Sequence, residues 1–274
     1  MPLTTADFDG SGAFGPDLVL QVVNQVLAGA PFARSLDPLS SNSGQVAFPL
    51  VGPDGGDWVA EGQPLPEVDV NPDTYVSQVV KLAGIFALTN EALADARLDL
   101  GNQIGQAVAD SLGPKLDAGI LSGTGTGPSP IGVLTVAPDL GSHSLWDGIF
   151  EAVGQIGDAG GTATSVGVRP STLAAEAGRV DSQGRPIHPS GLVDINGVRL
   201  VGVPTLAASQ AVVFDASTVR LVVRSDFAIE RSDEALFERD QVAVRVKGRF
   251  AAAVPSPEKS LRRFTIGAAG RKAA

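Results

Sequence analysis

The sequence predicts an α+β fold built around one long helix. Over residues 88–121 apolar side chains recur at helical spacing, at Leu93, Leu100, Ile104, Val108, Leu112, Leu116 and Ile120. That spacing lays one stripe along a helical face. Short β-rich runs, residues 198–203, 211–214, 219–223 and 241–250, crowd the C-terminal half. Neither a tandem repeat nor a clean linker divides the 274 residues, which suffice for one large domain or two intimate ones.

Residues 1–44 read as an N-terminal arm. Pro16 opens a helix whose Leu18, Val19, Val22, Val23, Val26 and Leu27 make a wide apolar stripe, and Gly29 stops it. Pro31, Pro38 and a Ser/Asn run then predict an extended connector. An arm of this kind frays unless something holds it down. Residues 45–51, QVAFPLV, read as a strand, and strand character resumes over residues 76–88. The stretch between is rich in Pro and Gly. It bears Asp54, Asp57, Glu61, Glu67, Asp69 and Asp73, with no Lys or Arg from Arg34 to Lys81. A loop this long is functional or partner-bound when it belongs to a compact domain. Residues 45–80 therefore predict an extended β-hairpin that leaves the body and returns. Trp58 and Tyr75 oppose a disordered loop, because protruding aromatics find a surface to bury against.

Thr89 or Asn90 is placed to cap the long helix, with Glu91 on its first-turn dipole. Gly113-Pro114 predicts a kink or break, since proline lacks the donor and clashes with the preceding turn. Gly123, in SGTGTGPSP, ends it. Residues 144–156 predict an amphipathic helix with Trp146, Ile149, Phe150 and Val153 on its buried face. A short strand at 165–168 and a helix at 171–179 follow, and Gly184-Arg185-Pro186 is turn chemistry. Residues 227–230 read as a strand. RSDEALFERD reads as a charged loop or tight turn, and QVAVRVKGRF alternates apolar and basic residues.

Composition narrows the function. Lys+Arg 20 against Asp+Glu 30 gives a formal net charge of −10, which argues against broad wrapping of nucleic acid. The chain has no cysteine, so disulfides and thiolate chemistry are excluded. No apolar run approaches the roughly 20 residues of a membrane span, and the first residues lack the pattern of a secretory signal. Gly123, Gly125 and Gly127 follow a helix and have no Lys after them, the reverse of a phosphate loop. His143 and His188 sit among Gly, Pro and Ser with no metal or triad motif. These residues predict no catalysis and no cofactor.

The order of features resembles the tailed-phage major capsid proteins of the Hong Kong 97 type. DWVAEGQPLPE (residues 57–67) is similar to that family's acidic extended loop, and LTNEALADA (88–96) to the start of its spine helix. DAGILSGTGTGPSPIGVL (117–134) resembles the spine-helix exit. Asp181, Gly184, Arg185 and Pro186 match a recurring turn, GVRLVGVP (197–204) a strand pair, and residues 237–264 the closing segment. The resemblance implies an arm (1–44), an extended loop (45–80) and a peripheral domain with the spine helix (81–123). It implies further an axial α/β domain (124–220), returning peripheral strands (221–250) and a C-terminal segment (251–274) reaching back to the axial domain. It implies hexamers and pentamers closing an icosahedral shell around double-stranded DNA, in a virion assembled in the host bacterial cytoplasm. Scaffolding, portal and decoration proteins are partners in such shells, and no membrane is. The family's fused N-terminal scaffold is not expected in this polypeptide. Its lysine–asparagine isopeptide is not expected either, since the loop has no Lys and residues 231–240 have no Asn. The rivals are an encapsulin-like compartment, which shares the fold, and an enzyme using SGTGTG and a histidine.

Charge then selects a seat for the loop. Asp54, Asp57, Glu61, Glu67, Asp69 and Asp73 repel any acidic surface. Arg224, Arg231, Arg239, Arg245, Lys247 and Arg249 concentrate positive charge late in the chain. The expectation is that loop and basic region meet between adjacent subunits, with Trp58 as apolar anchor.

Overall fold

The computed structural model describes residues 16–51, 58–63, 72–91, 100–187, 192, 194–195, 197–224 and 228–267. In chain order the first half runs α1 (Pro16–Ala28), α2 (Pro31–Ser35), β1 (Asp37–Ser41), β2 (Gln45–Val51), β3 (Pro72–Gln78), β4 (Val80–Thr89) and the spine helix α3 (Leu100–Ser122). Then come α4 (Val133–Val136), β5 (Asp139–His143), α5 (Leu145–Asp158), β6 (Ser165–Val168), α6 (Pro170–Ala177), β7 (Asp194–Ile195) and β8 (Val198–Gly202). The chain closes with β9 (Gln210–Phe214), β10 (Arg220–Arg224), β11 (Ala228–Leu236), β12 (Gln241–Ala253), α7 (Pro257–Ser260) and β13 (Leu261–Ile266).

Two sheets organise the body. The long strand β12 is the hub of the first. It pairs antiparallel with β4 (Val244 opposite Phe86), with β11 (Val246 opposite Ile229) and with β10 (Ala251 opposite Val222), and β1 adds parallel to β10. The second sheet is mixed, in the order β5-β13-β9-β6-β8-β7. Its main helix, α5, is capped by Ser144, whose Oγ accepts the Asp147 N–H at 3.2 Å. The hairpin β2–β3 stands apart as its own two-stranded sheet.

The spine packs over the inner face of the first sheet. Val108, Leu112, Leu116 and Ile120 are all buried there, with Val244, Val246 and Phe250 of β12 in the same cluster. Residues 90–91 are helical, where the pattern predicts the helix to begin, and the described spine resumes at Leu100. Leu88 and Thr89 belong to β4 and pair with Val242 and Gln241, so Thr89 is the last strand residue before the helical turn. Leu93 lies outside the described residues.

Of the kink or break expected at Gly113-Pro114, the break does not occur, for α3 is continuous through Pro114. The residue before a proline is barred from helical geometry partly by its own Cβ, and Gly113 has none. The same bareness serves packing. A Cβ on Gly113 would stand 2.6 Å from the carbonyl carbon of Gly29, and one on Gly29 would stand 2.8 Å from the Ala109 carbonyl oxygen. The end of α1 thus crosses the spine backbone to backbone.

The stretch expected to need outside support for burial finds it at home. Val22, Val23, Val26, Ala30, Phe32 and Leu36 join the main core, each large one contributing about 1.5–3 kcal/mol by leaving water. Phe32 meets Phe214 edge-on at 5.1 Å, tying this segment to the second sheet. Asp117 of the spine, fully buried, accepts the backbone N–H of Ala33 (2.9 Å) and of Phe32 (3.2 Å), satisfying the first turn of α2. Burial pushes its carboxyl above the usual range, against the pull of those two hydrogen bonds. The predicted connector after Pro38 is strand β1.

Two more expectations change. In α5 the buried face is Leu145, Ile149, Ala152 and Ile156, while Phe150 is 49% exposed. RSDEALFERD is mostly strand: β11 runs to Leu236 with a register shift after Ser232, then a 3₁₀ turn at Phe237–Arg239 leads to Asp240 at φ 50°. His188 lies outside the described residues.

Candidate assembly interface

The hairpin is rooted on the body before it leaves it. Antiparallel pairing aligns Phe48 with Tyr75, and their rings sit 6.2 Å apart. With Val46, Leu39 and Val79 they cover Val222, Ala251 and Ala253 on the outer face of the first sheet. The buried Ser77 hydroxyl donates to the Ala252 carbonyl at 2.9 Å. Beyond Val51 and Pro72 the loop continues to a turn in which Gln63 N–H donates to Ala60 O at 3.1 Å. Gly62 takes φ +82° there, the left-handed position that favours glycine in such a turn. Trp58 is fully exposed (101%), and Glu61 is exposed beside it. Asp54, Asp57, Glu67 and Asp69 lie outside the described residues. Asp73 sits in β3, opposite Leu50.

Next to the hairpin root, the same outer face turns basic. Strand alternation puts Arg245, Lys247 and Arg249 outward, because Val244, Val246 and Phe250 face the spine. Register places Lys81 opposite Arg249 and Ala83 opposite Lys247, so Lys81 joins the band. These residues line a shallow depression with Gly248. Arg224 shares the face of Val222 and reaches within 3.8 Å of the position a Gly44 side chain would take. Glu230 ion-pairs with both Arg245 and Lys247, and the Lys247 and Arg245 hydrogen bonds hold its carboxyl below the usual range.

Two predicted members lie elsewhere. Arg231 pairs in register with Val244, which puts it on the opposite face, and Arg239 is on the turn beyond β11. Among the described residues no group of His, Asp and Glu could hold a metal, and no helix is long and apolar enough to cross a membrane. His143 is absorbed structurally: its Nε2 lies 2.8 Å from Leu140 O and its Nδ1 3.5 Å from Glu151. The SGTGTG segment leaves α3 as a glycine turn, Gly125 at φ +72° and Gly127 at +67°, with Gly125 N–H donating to Pro130 O.

The sequence model of the phage capsid family matches residues 15–260. The chain belongs to that family. It is a major capsid protein, and its fold is of the Hong Kong 97 type. A structure from Mycobacterium phage Bobi is similar at 22% identity with a TM-score of 0.69, covering 86% of this chain and 90% of that one. One from Microbacterium phage Oxtober96 shows 20% identity and a TM-score of 0.67, covering 86% and 91%. The capsid of an empty GTA particle shows 17% identity and a TM-score of 0.70, covering 88% and 90%. No curated protein matches significantly in sequence. In this capsid protein, Glu61 is exposed at the hairpin turn, and Lys81, Arg245, Lys247 and Arg249 line a basic depression on the outer face of the first sheet.

Proposed function

We propose that the protein closes an icosahedral shell from hexamers and pentamers around double-stranded DNA, and that it does so without catalysis. The observation that supports the reading is that one chain carries both an exposed hairpin turn with Trp58 and Glu61 and a basic outer face. Trp58 and Glu61 are exposed at the hairpin turn, and Lys81, Arg224, Arg245, Lys247 and Arg249 share the outer face of the first sheet. A loop carrying Asp54, Asp57, Glu61, Glu67, Asp69 and Asp73 reaches across to the basic face of the adjacent subunit. The first sheet with the spine serves as the peripheral body and the second sheet as the axial one. Assembly in the host bacterial cytoplasm, with scaffolding, portal and decoration proteins as partners, follows from the same reading. An overall charge of −10 suits a wall that encloses DNA rather than gripping it. The test is electron microscopy with sedimentation of the purified protein. Closed shells are expected; a folded chain that stays monomeric under virion-like conditions would overturn the proposal.

A further inference from the structure

Where the end of α1 and helix α2 meet the second sheet lies a depression of about 380 Å³, within the roughly 300–1,000 Å³ of ligand clefts. Pro31, Arg34 and Ser35 form one wall, and β8 from Arg199 to Gly202 forms the other. The lining holds two cations and no acid, in a chain of net charge −10. Arg34 and Arg199 are both exposed, and among the described residues neither has an ion-pair partner. Asp194 stands opposite Arg199 in register and makes no ion pair with it. The β8 wall is also a sheet edge. On one side β6 pairs with it from Arg199 to Gly202. On the other, among the described residues, β7 covers only Val198 and Arg199. The Arg199 and Val203 amides donate toward β6, to the Thr164 and Val168 carbonyls at 2.9 Å each. Alternation along the strand turns the Leu200 and Gly202 amides the other way.

We propose that this depression takes an extended acidic segment of a second protein, added to the β8 edge as a short strand. An open edge is a template for another chain. Strand addition draws affinity from main-chain hydrogen bonds and specificity from alternate side chains. Here both parts are present. Val201 packs toward the main core and Leu200 toward the core under α5, so Arg199 and Val201 share the face turned to α2. A residue laid opposite Val201 points to that same side. It falls between Arg34 across the depression and Arg199 on the diagonal, where a carboxylate accepts hydrogen bonds from both guanidinium groups. A residue opposite Leu200 points the other way and is apolar. A nucleic-acid phosphate would satisfy the arginines and leave the strand edge unmet, so the geometry favours a peptide. The site belongs to the folded subunit and does not depend on shell closure.

The probe is a dye-labelled peptide of alternating valine and glutamate, added to unassembled subunits at low salt and followed by fluorescence anisotropy. It should bind, and a valine–lysine peptide of the same length should not. Arg34→Glu and Arg199→Glu should each weaken binding about tenfold or more, with circular dichroism showing that both variants keep the parent's fold. On the unaltered chain, hydrogen exchange should slow at the Leu200 and Gly202 amides when the valine–glutamate peptide is present. Binding that depends on the two arginines but leaves those amides exchanging at their free rate would mark a simple anion site and overturn the strand. A single-stranded oligonucleotide that binds more tightly than the peptide at the same arginines would overturn it in favour of nucleic acid. No binding, or binding untouched by both charge reversals, would overturn it outright. Each of these results leaves the shell reading standing, because the subunits in the assay are unassembled.

Discussion

Replacing Gly113 with alanine should destabilise the subunit, although alanine is the better helix former. Exchanging glycine for alanine inside a helix gains about 0.8–1 kcal/mol. Against this stands a Cβ placed 2.6 Å from Gly29 C, 2.7 Å from Gly29 O and 2.8 Å from Gly29 Cα. All three are backbone atoms, so no rotamer change relieves them. Forcing such a contact costs about 1–3 kcal/mol, and a Cβ before Pro114 adds the pre-proline clash. The net expectation is a loss of about 1–2 kcal/mol, or roughly 2–8 °C in the melting temperature of unassembled subunits. Gly105→Ala is the control on the same face. Its Cβ would fall 1.6 Å from Gln25 Oε1, the far end of a flexible side chain. That end can swing away, so the helix gain and the cost should cancel to within about 0.5 kcal/mol. Thermal and urea unfolding, followed by circular dichroism, measure both variants. A Gly113→Ala subunit as stable as the parent, or more so, would refute the claim that α1 and the spine touch backbone to backbone here.

Other outcomes are expected. Asp117→Ala should cost several kcal/mol in subunit unfolding, because it orphans two buried N–H donors at about 1–3 kcal/mol each. Asp117→Asn should cost less, keeping one acceptor. Burial raises the Asp117 carboxyl, so its ionisation costs more in the folded chain. Its contribution to stability should therefore fall as pH rises from the ordinary carboxylate range through the raised value, a dependence that Asp117→Asn removes. Glu61→Lys and Asp57→Lys should block assembly while the subunit stays folded, and salt should weaken parental shells, since exposed pairs are screened beyond roughly 8–10 Å. Normal, salt-stable shells from both variants would dismiss the pairing. Glu230→Gln frees Arg245 and Lys247 and should let shells withstand more salt, measured by light scattering during a salt titration. Mature particles should run as a single monomer band on a denaturing gel, because none of Lys81, Lys115, Lys247, Lys259 and Lys272 lies in the loop; a ladder would contradict this.

Much of the architecture was legible because its periods are clean. Helix α1, the end of the spine near Gly123, the β2–β3 hairpin and the second-sheet strands β6, β8 and β9 follow from patterning and turn residues, while β5, β7 and β13 carry no such clear pattern. The failures have one physical origin, that neighbours in space outvote neighbours in sequence. Phe150 looks like core by type, yet the face α5 buries is set by Leu145, Ile149, Ala152 and Ile156. The basic cluster shows the same limit. Arg231 is one residue from Glu230 and lands on the other side of the sheet, while Lys81 enters only through the register of β4 with β12. The spacing Gly105, Ala109, Gly113 was a readable signal for a close helix crossing, since small residues four apart share one face.

The anchoring of the hairpin has a mechanical consequence. Its root is fastened to β12, the one strand that pairs with β4, β10 and β11, through the Ser77 bond to Ala252 and the ring cluster over Ala251 and Ala253. If a neighbour holds the loop as proposed, a pull on it is delivered through this root to β12 and shared among the three strands that β12 pairs with. Each subunit behaves less like a hook on a flexible cord than like a bracket bolted to a beam. Loosening that bolt, as in Ser77→Ala with Tyr75→Ala, should leave subunits that fold and assemble but shells that rupture under lower force when indented by a cantilever tip.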